Sequence, residues 1–128
     1  MNDGELEANK KIVLDFYNSA LNGSNFESAA AHFGAGYIQH NPMIQDGIEG
    51  FRSFVKDLKE RFPKVRGDIK RIFAEGDFVI LHVHAKREPE EAGLAIVDIF
   101  RLEAGKIVEH WDVRQPMPES SANRNGVF

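Results

Sequence analysis

Apolar positions change their period once along this chain. From Glu5 to Asn22 the apolar residues Ile12, Val13, Phe16, Tyr17, Ala20 and Leu21 recur at helical spacing and form one stripe. Gly23 is a natural stop. Ser24, followed three residues later by Glu27, reads as a capping box that opens a second, short helix reaching Phe33. Tyr37 and Ile38 favour an extended strand, which Asn41-Pro42 ends. Asp46 can cap a third helix, with Ile48, Phe51, Phe54, Val55, Leu58 and Phe62 as its buried face and Pro63 as its stop. Beyond Pro63 the period shortens. Residues 65–74, 77–86, 94–102 and 106–115 read as four strands, joined by a tight turn at Glu75-Gly76-Asp77, a polar loop and a turn at Glu103-Ala104-Gly105.

Helix, helix, short strand, helix and antiparallel meander make an α+β pattern. Three N-terminal helices on one face of a curved, mostly antiparallel sheet would enclose a hollow. No internal repeat or boundary interrupts the pattern, so it predicts one domain over residues 1–128, with 116–128 an irregular tail. That tail ends on Val127-Phe128, and a terminal Phe left in water forgoes burial. Two readings stand side by side: the tail folds back and docks Phe128 on its own domain or a partner subunit, where it could cover part of the opening, or it is disordered from about Glu119 onward.

The turn before the last strand decides which residues meet. A three-residue loop with glycine last fits a type I turn closed by a bulge. That register pairs Leu102 with Lys106 and sets Asp98 opposite His110, with Asp112 diagonal and Arg114 beyond it on the same face as Ile96, Phe100 and Val108. A two-residue loop would instead set Asp98 against Trp111. Two carboxylates, an imidazole and a guanidinium on an apolar face are costly unless they offset one another. One reading is an ion-pair network that supports the sheet. The sharper one is a pocket with an acid/base carboxylate, since apolar walls favour proton transfer at neutral pH.

Composition narrows the functions. In 128 residues, 42% are hydrophobic and 28% charged, as in globular proteins generally. The net charge of -4, with no basic patch, argues against nucleic acid. With no cysteine there is no disulfide, thiol nucleophile or cysteine metal site. The N-terminus has no apolar signal-peptide core, and no run is long enough for a membrane span, so cytoplasmic residence is expected. His82 and His84 share one strand face and could bind zinc, but no third ligand is evident. Val79, Leu81, Val83 and Ala85 should point inward, which turns the two histidines outward. No metal or cofactor is therefore expected. Val97 and Ile99 join them on the outer face, which predicts a homodimer through that face.

The stretches "YIQHNP" and "VDIFRLEAGKIVEHWDVRQPMP", in this order of elements, resemble the SnoaL-like polyketide cyclases. These belong to the nuclear-transport-factor-2-like superfamily, a cone-shaped α+β fold. The resemblance runs from about Glu5 to Pro118. It implies ring closure by aldol condensation without metal or cofactor, with Asp112 as the acid/base. Asp98 matches a pocket position on the preceding strand where the cyclases carry a histidine. The chain is also similar, more distantly, to ketosteroid isomerases. There Tyr17 matches the first-helix tyrosine, Asp98 the neutral carboxylic acid that donates to the oxyanion, and Asn41 the position of the general base. Asparagine cannot take that proton, which leaves neighbouring His40 as a substitute.

The residues and the resemblance together give Asp112, Asp98 and His110 as catalytic candidates, and Tyr17, His40, Asn41 and Arg114 as substrate-binding ones. The expected partner is a small hydrophobic or aromatic molecule. Two other functions remain open at this point: a non-catalytic pocket for such a metabolite, and an interaction module whose hollow is filled.

Overall fold

The computed structural model describes residues 2–128. Asn2 caps the first helix, α1 (Asp3–Tyr17), by accepting from the Glu5 N–H at 2.8 Å. The helix does not continue to Asn22 as an α-helix. Residues Asn18–Asn22 widen into a π-helical turn. The Asn22 amide accepts from the Gly67 N–H and donates to the Gly67 carbonyl, each at 2.8 Å, and so latches this turn to the sheet.

The second helix, α2 (Phe26–Ala30), is capped by Asn25, which accepts from the Ser28 N–H at 3.1 Å. The expected Ser24–Glu27 box does not form, and the Glu27 side chain pairs with Arg52 instead. Phe33 is not helical either. It opens β1 (Phe33–Gln39), where its ring packs edge-on against Phe16 at 5.1 Å. The third helix, α3 (Gly47–Arg61), starts after Asp46 as expected. The Asp46 carboxylate, however, accepts from the Gln39 N–H at 2.8 Å rather than capping the helix. It ties the end of β1 to the start of α3.

The remaining strands are β2 (Arg66–Glu75), β3 (Phe78–Lys86), β4 (Leu94–Glu103) and β5 (Lys106–Pro116). Their spatial order is β1-β5-β4-β3-β2, with β1 parallel to β5 and every other pair antiparallel. The result is the expected α+β cone, with helices against the concave side of the sheet. Val13 of α1 and Val79, Leu81, Val83, Leu102 and Ile107 of the sheet are almost completely buried between the layers.

The β4–β5 turn differs from the expectation. Glu103 pairs with Lys106, so only Ala104 and Gly105 turn the chain, with φ of 49° and 76°. Positive φ at both positions is what a two-residue turn of the I′ type requires. Alone, that turn would put Asp98 opposite Trp111. The register then shifts, because Leu102 pairs with Ile107 but Arg101 pairs with Glu109. Val108 is the extra residue of a bulge. Ile107 and Val108 are consecutive and both buried at this bulge. Asp98 thus faces Asp112 rather than His110, and Phe100 faces His110. The four polar residues still share one face, because turn and bulge together shift the register by two residues from the expectation.

The tail beyond Pro116 is irregular and does fold back. It docks on the outer face, not at the cavity. The Phe128 ring lies 4.8 Å from that of His84 and 5.0 Å from that of His82, with the Lys70 ammonium 5.6 Å away. Both histidines therefore point outward, as their spacing predicts.

Candidate active site

Between the helices and the concave sheet lies a cavity of about 630 Å³. Its walls are aromatic and aliphatic, with Phe16, Phe51, Phe54, Phe62, Leu58 and Ile96 among them. Arg61, Lys86 and Arg87 stand at its more exposed side. Asp98, His110, Asp112 and Arg114 all reach its lining, as does Tyr17. Five of the seven candidate residues thus meet on one cavity.

Alternation along β1 separates the other two. Tyr37, Gln39 and Asn41 turn inward, while Ile38 and His40 turn outward. Two consecutive residues of an extended segment cannot both face the pocket. His40 accordingly stacks on Trp111 at 4.8 Å on the outer face and meets the Glu109 carboxylate at 2.6 Å. That contact, together with burial working against it and Arg101 alongside, holds Glu109 below the usual carboxylate range. The expected pocket role of His40 is not what this geometry provides. Asn41 is buried and bonds directly to the cluster: its Nδ2 donates to Asp112 Oδ2 at 2.7 Å. Its own oxygen accepts from the Met43 N–H at 2.7 Å, which fixes the amide orientation.

The inner polar groups form two linked units. His110 Nε2 lies 2.8 Å from Asp98 Oδ1, and its Nδ1 lies 2.8 Å from Gln39 Oε1. Asp98 and His110 are each only 6% exposed, so desolvation penalises any unpaired charge there. Asp112 receives Asn41 on one side and lies 3.7 Å from the Arg114 guanidinium on the other. No buried side-chain nitrogen or oxygen among the described residues lacks a partner.

Two tyrosines complete the polar end. Burial, with Asp98 adding to it and Arg114 opposing, pushes the Tyr17 hydroxyl well above the ordinary tyrosine pKa. Its placement depends on Gly67, where a Cβ would stand 2.0 Å from that hydroxyl. Tyr37 is pushed up as well, by burial first and then by Asp98, Asp112 and Asp46. Both remain neutral hydrogen-bond donors at physiological pH. The Tyr37 oxygen accepts from Gln39 Nε2 at 2.8 Å, which leaves its own proton for another acceptor. Tyr37 and Gln39 were not among the sequence candidates. The alternation Tyr37, Gln39, Asn41 in "YIQHN" was the signal that could have found them.

One ligand atom each from Asp98, His110 and Asp112 lies within 4.8 Å of the others. Two carboxylates and an imidazole could hold a divalent ion. To do so His110 Nε2 would have to leave Asp98, and the ion would compete with the Arg114 guanidinium at Asp112.

The SnoaL-like domain model matches residues 13–110, well over half of the chain, a span that takes in Tyr17, Asp98 and His110 and ends before Asp112 and Arg114. The chain belongs to the SnoaL-like domain family. Solved structures agree on the fold. A protein of Jannaschia sp. CCS1 assigned as a SnoaL-like polyketide cyclase is similar at 19% identity, over 89% of this chain and 90% of that one, with a TM-score of 0.73. AclR from Streptomyces galilaeus, assigned as a hydroxylase, is similar at 18% identity over 86% and 90%, with a TM-score of 0.71. A nuclear-transport-factor-2-like protein of Cytophaga hutchinsonii is similar at 21% identity over 84% and 90%, with a TM-score of 0.65. No protein of curated function matches this SnoaL-like domain. At these identities the solved structures establish the cone, not the reaction. No helix among the described residues is long and apolar enough to cross a membrane.

Proposed function

We propose that this SnoaL-like domain is a small-molecule enzyme that performs acid/base chemistry at a carbon next to a carbonyl, without a cofactor. The observation that carries the proposal is Asp112. It is a carboxylate at the wall of an apolar cavity, oriented by the Asn41 amide and balanced by Arg114. A substrate with an apolar or aromatic body fits the aromatic walls, and their contacts would supply orientation. Asp112 takes the proton from the C–H bond, and the bonding pair moves onto the carbonyl oxygen. Tyr17, Tyr37 and the Asp98–His110 unit supply hydrogen bonds to that developing enolate. In a condensation, the enolate carbon attacks a second carbonyl of the same substrate. The resulting alkoxide then recovers the proton from Asp112, so no atom or electron is left over. The solved relatives assigned as cyclase and hydroxylase support a small-molecule enzyme of this general kind.

Further expectations belong with this reading. The outer sheet face carries Phe73, 55% exposed, Phe78 and Val113, 65% exposed, beside Trp111. Such an apolar face supports a homodimer formed across it. A cysteine-free chain of net charge -4 fits residence in the cytoplasm. The test of function is solvent deuterium exchange into a panel of aryl ketones and β-keto esters, with protein and without. Exchange that depends on the protein supports the enzyme. Ligand binding by the panel with no exchange above background favours a carrier or sensor.

A further inference from the structure

The sequence drew attention to the charged residues of the last hairpin, yet the hydrogen bonds converge on an uncharged residue of β1, Gln39. Its Oε1 accepts from the Asn41 backbone N–H at 2.9 Å, and a backbone N–H can only donate. The amide is therefore fixed with its oxygen toward Asn41 and its Nε2 toward the Tyr37 hydroxyl. The same Oε1 lies 2.8 Å from His110 Nδ1. An oxygen with no proton can meet that nitrogen only if Nδ1 carries one.

This constrains the other side of the ring. With a proton on Nδ1, a neutral His110 has a bare lone pair on Nε2, 2.8 Å from Asp98 Oδ1. A carboxylate there would set two lone pairs against each other. One proton must therefore lie between His110 and Asp98. Either Asp98 holds it and donates to Nε2, or His110 is doubly protonated and donates to an ionised Asp98. Both forms of the pair have no net charge.

We propose that Gln39 is the positioning residue of this site: it fixes His110 as the Nδ1–H form and thereby makes Asp98 and His110 a one-proton, uncharged unit. Asp112 is then the remaining proton acceptor of the inner cluster. Its counterpart logic runs through Asn41, whose oxygen is occupied by the Met43 N–H, so its Nδ2 must donate to Asp112. Two backbone N–H groups, those of Asn41 and Met43, thus assign acid and base roles to side chains on the next two strands, β5 and β4. The link to catalysis rests on the function proposed above. The proton arrangement does not.

The experiment is nitrogen NMR of the full chain labelled with 15N-histidine, in which protonated and bare ring nitrogens have well-separated shifts. His110 is expected to show a protonated Nδ1 near neutral pH, with Nε2 either bare and hydrogen-bonded or protonated as well. A neutral ring with the proton on Nε2 and a bare Nδ1 would overturn the proposal. Gln39→Leu removes the acceptor and should abolish the Nδ1–H signature, whereas Gln39→Glu keeps an acceptor and should restore it. An unchanged His110 spectrum in folded Gln39→Leu would equally overturn it. If Gln39→Leu does not fold, the wild-type spectrum and Gln39→Glu decide the matter. These spectra do not depend on turnover: the predicted tautomer without substrate exchange would refute the proposed enzyme and leave the role of Gln39 standing.

Discussion

Asp98 and Asp112 stand directly opposite each other on neighbouring central strands, both facing the cavity. Like charges so placed destabilise a sheet. The fold offsets this by giving each a different partner, His110 for Asp98 and Asn41 with Arg114 for Asp112. Removing one partner should then cost more than changing the charge. Asp98→Ala leaves His110 Nε2 buried without its partner and should lose about 1–3 kcal/mol. Asp98→Asn keeps a donor for Nε2 and should lose less. Urea unfolding of the two variants gives the comparison, and equal losses would contradict the pairing.

Gly67 allows Tyr17 its place. Gly67→Ala puts a methyl group 2.0 Å from the Tyr17 hydroxyl, and either ring or strand must move. Overpacking of this kind costs about 1–3 kcal/mol. The double variant Gly67→Ala/Tyr17→Phe removes the clashing oxygen and should recover part of the loss in thermal unfolding.

The Gln39 N–H holds the Asp46 carboxylate below the usual carboxylate range, helped by the Gly47 N–H. A depressed folded-state pKa stabilises the fold above the unfolded value, and that stabilisation disappears as pH falls through the folded one. Wild-type stability should therefore drop on acidification below the ordinary aspartate pKa. In Asp46→Asn the drop should be shallower, as read from urea midpoints at neutral and acidic pH.

The tail is expected to stabilise without gating. Phe128 packs on His82 and His84, on the face of the sheet away from the cavity. Deleting Ser120 to Phe128 should lower the melting temperature and leave ligand association rates unchanged. Faster association in the truncated chain would show that the tail does cover the opening.

The elements themselves were legible because periodicity reports burial. Phe51 and Val55 mark the inner face of α3, and Val79, Leu81 and Val83 that of β3, and each is where its spacing puts it. Details set by a competing partner were not legible. Ser24 and Glu27 make a good capping box in isolation, but Arg52, twenty-five residues further on, takes Glu27. The Ala104-Gly105 turn and the Val108 bulge are separate departures from the expected register, and each alone would have turned the polar face around. Their sum left Asp98, His110, Asp112 and Arg114 together. The pocket role of His40 follows from the resemblance alone, and strand alternation, which turns Asn41 inward, turns its neighbour His40 outward.

Whether Asp112 is the base of the proposed reaction is decided by proton exchange in its asparagine variant. A substrate from the ketone panel that exchanges with wild-type protein is incubated in heavy water with Asp112→Asn, and deuterium uptake at the carbon is followed by NMR. Asparagine preserves the size of the side chain and can still meet Asn41 through its carbonyl, so the cavity should stay folded. The exchange rate is expected to fall by about 100- to 10,000-fold, the usual contribution of a positioned general base. Exchange at the wild-type rate in a folded Asp112→Asn protein would contradict it.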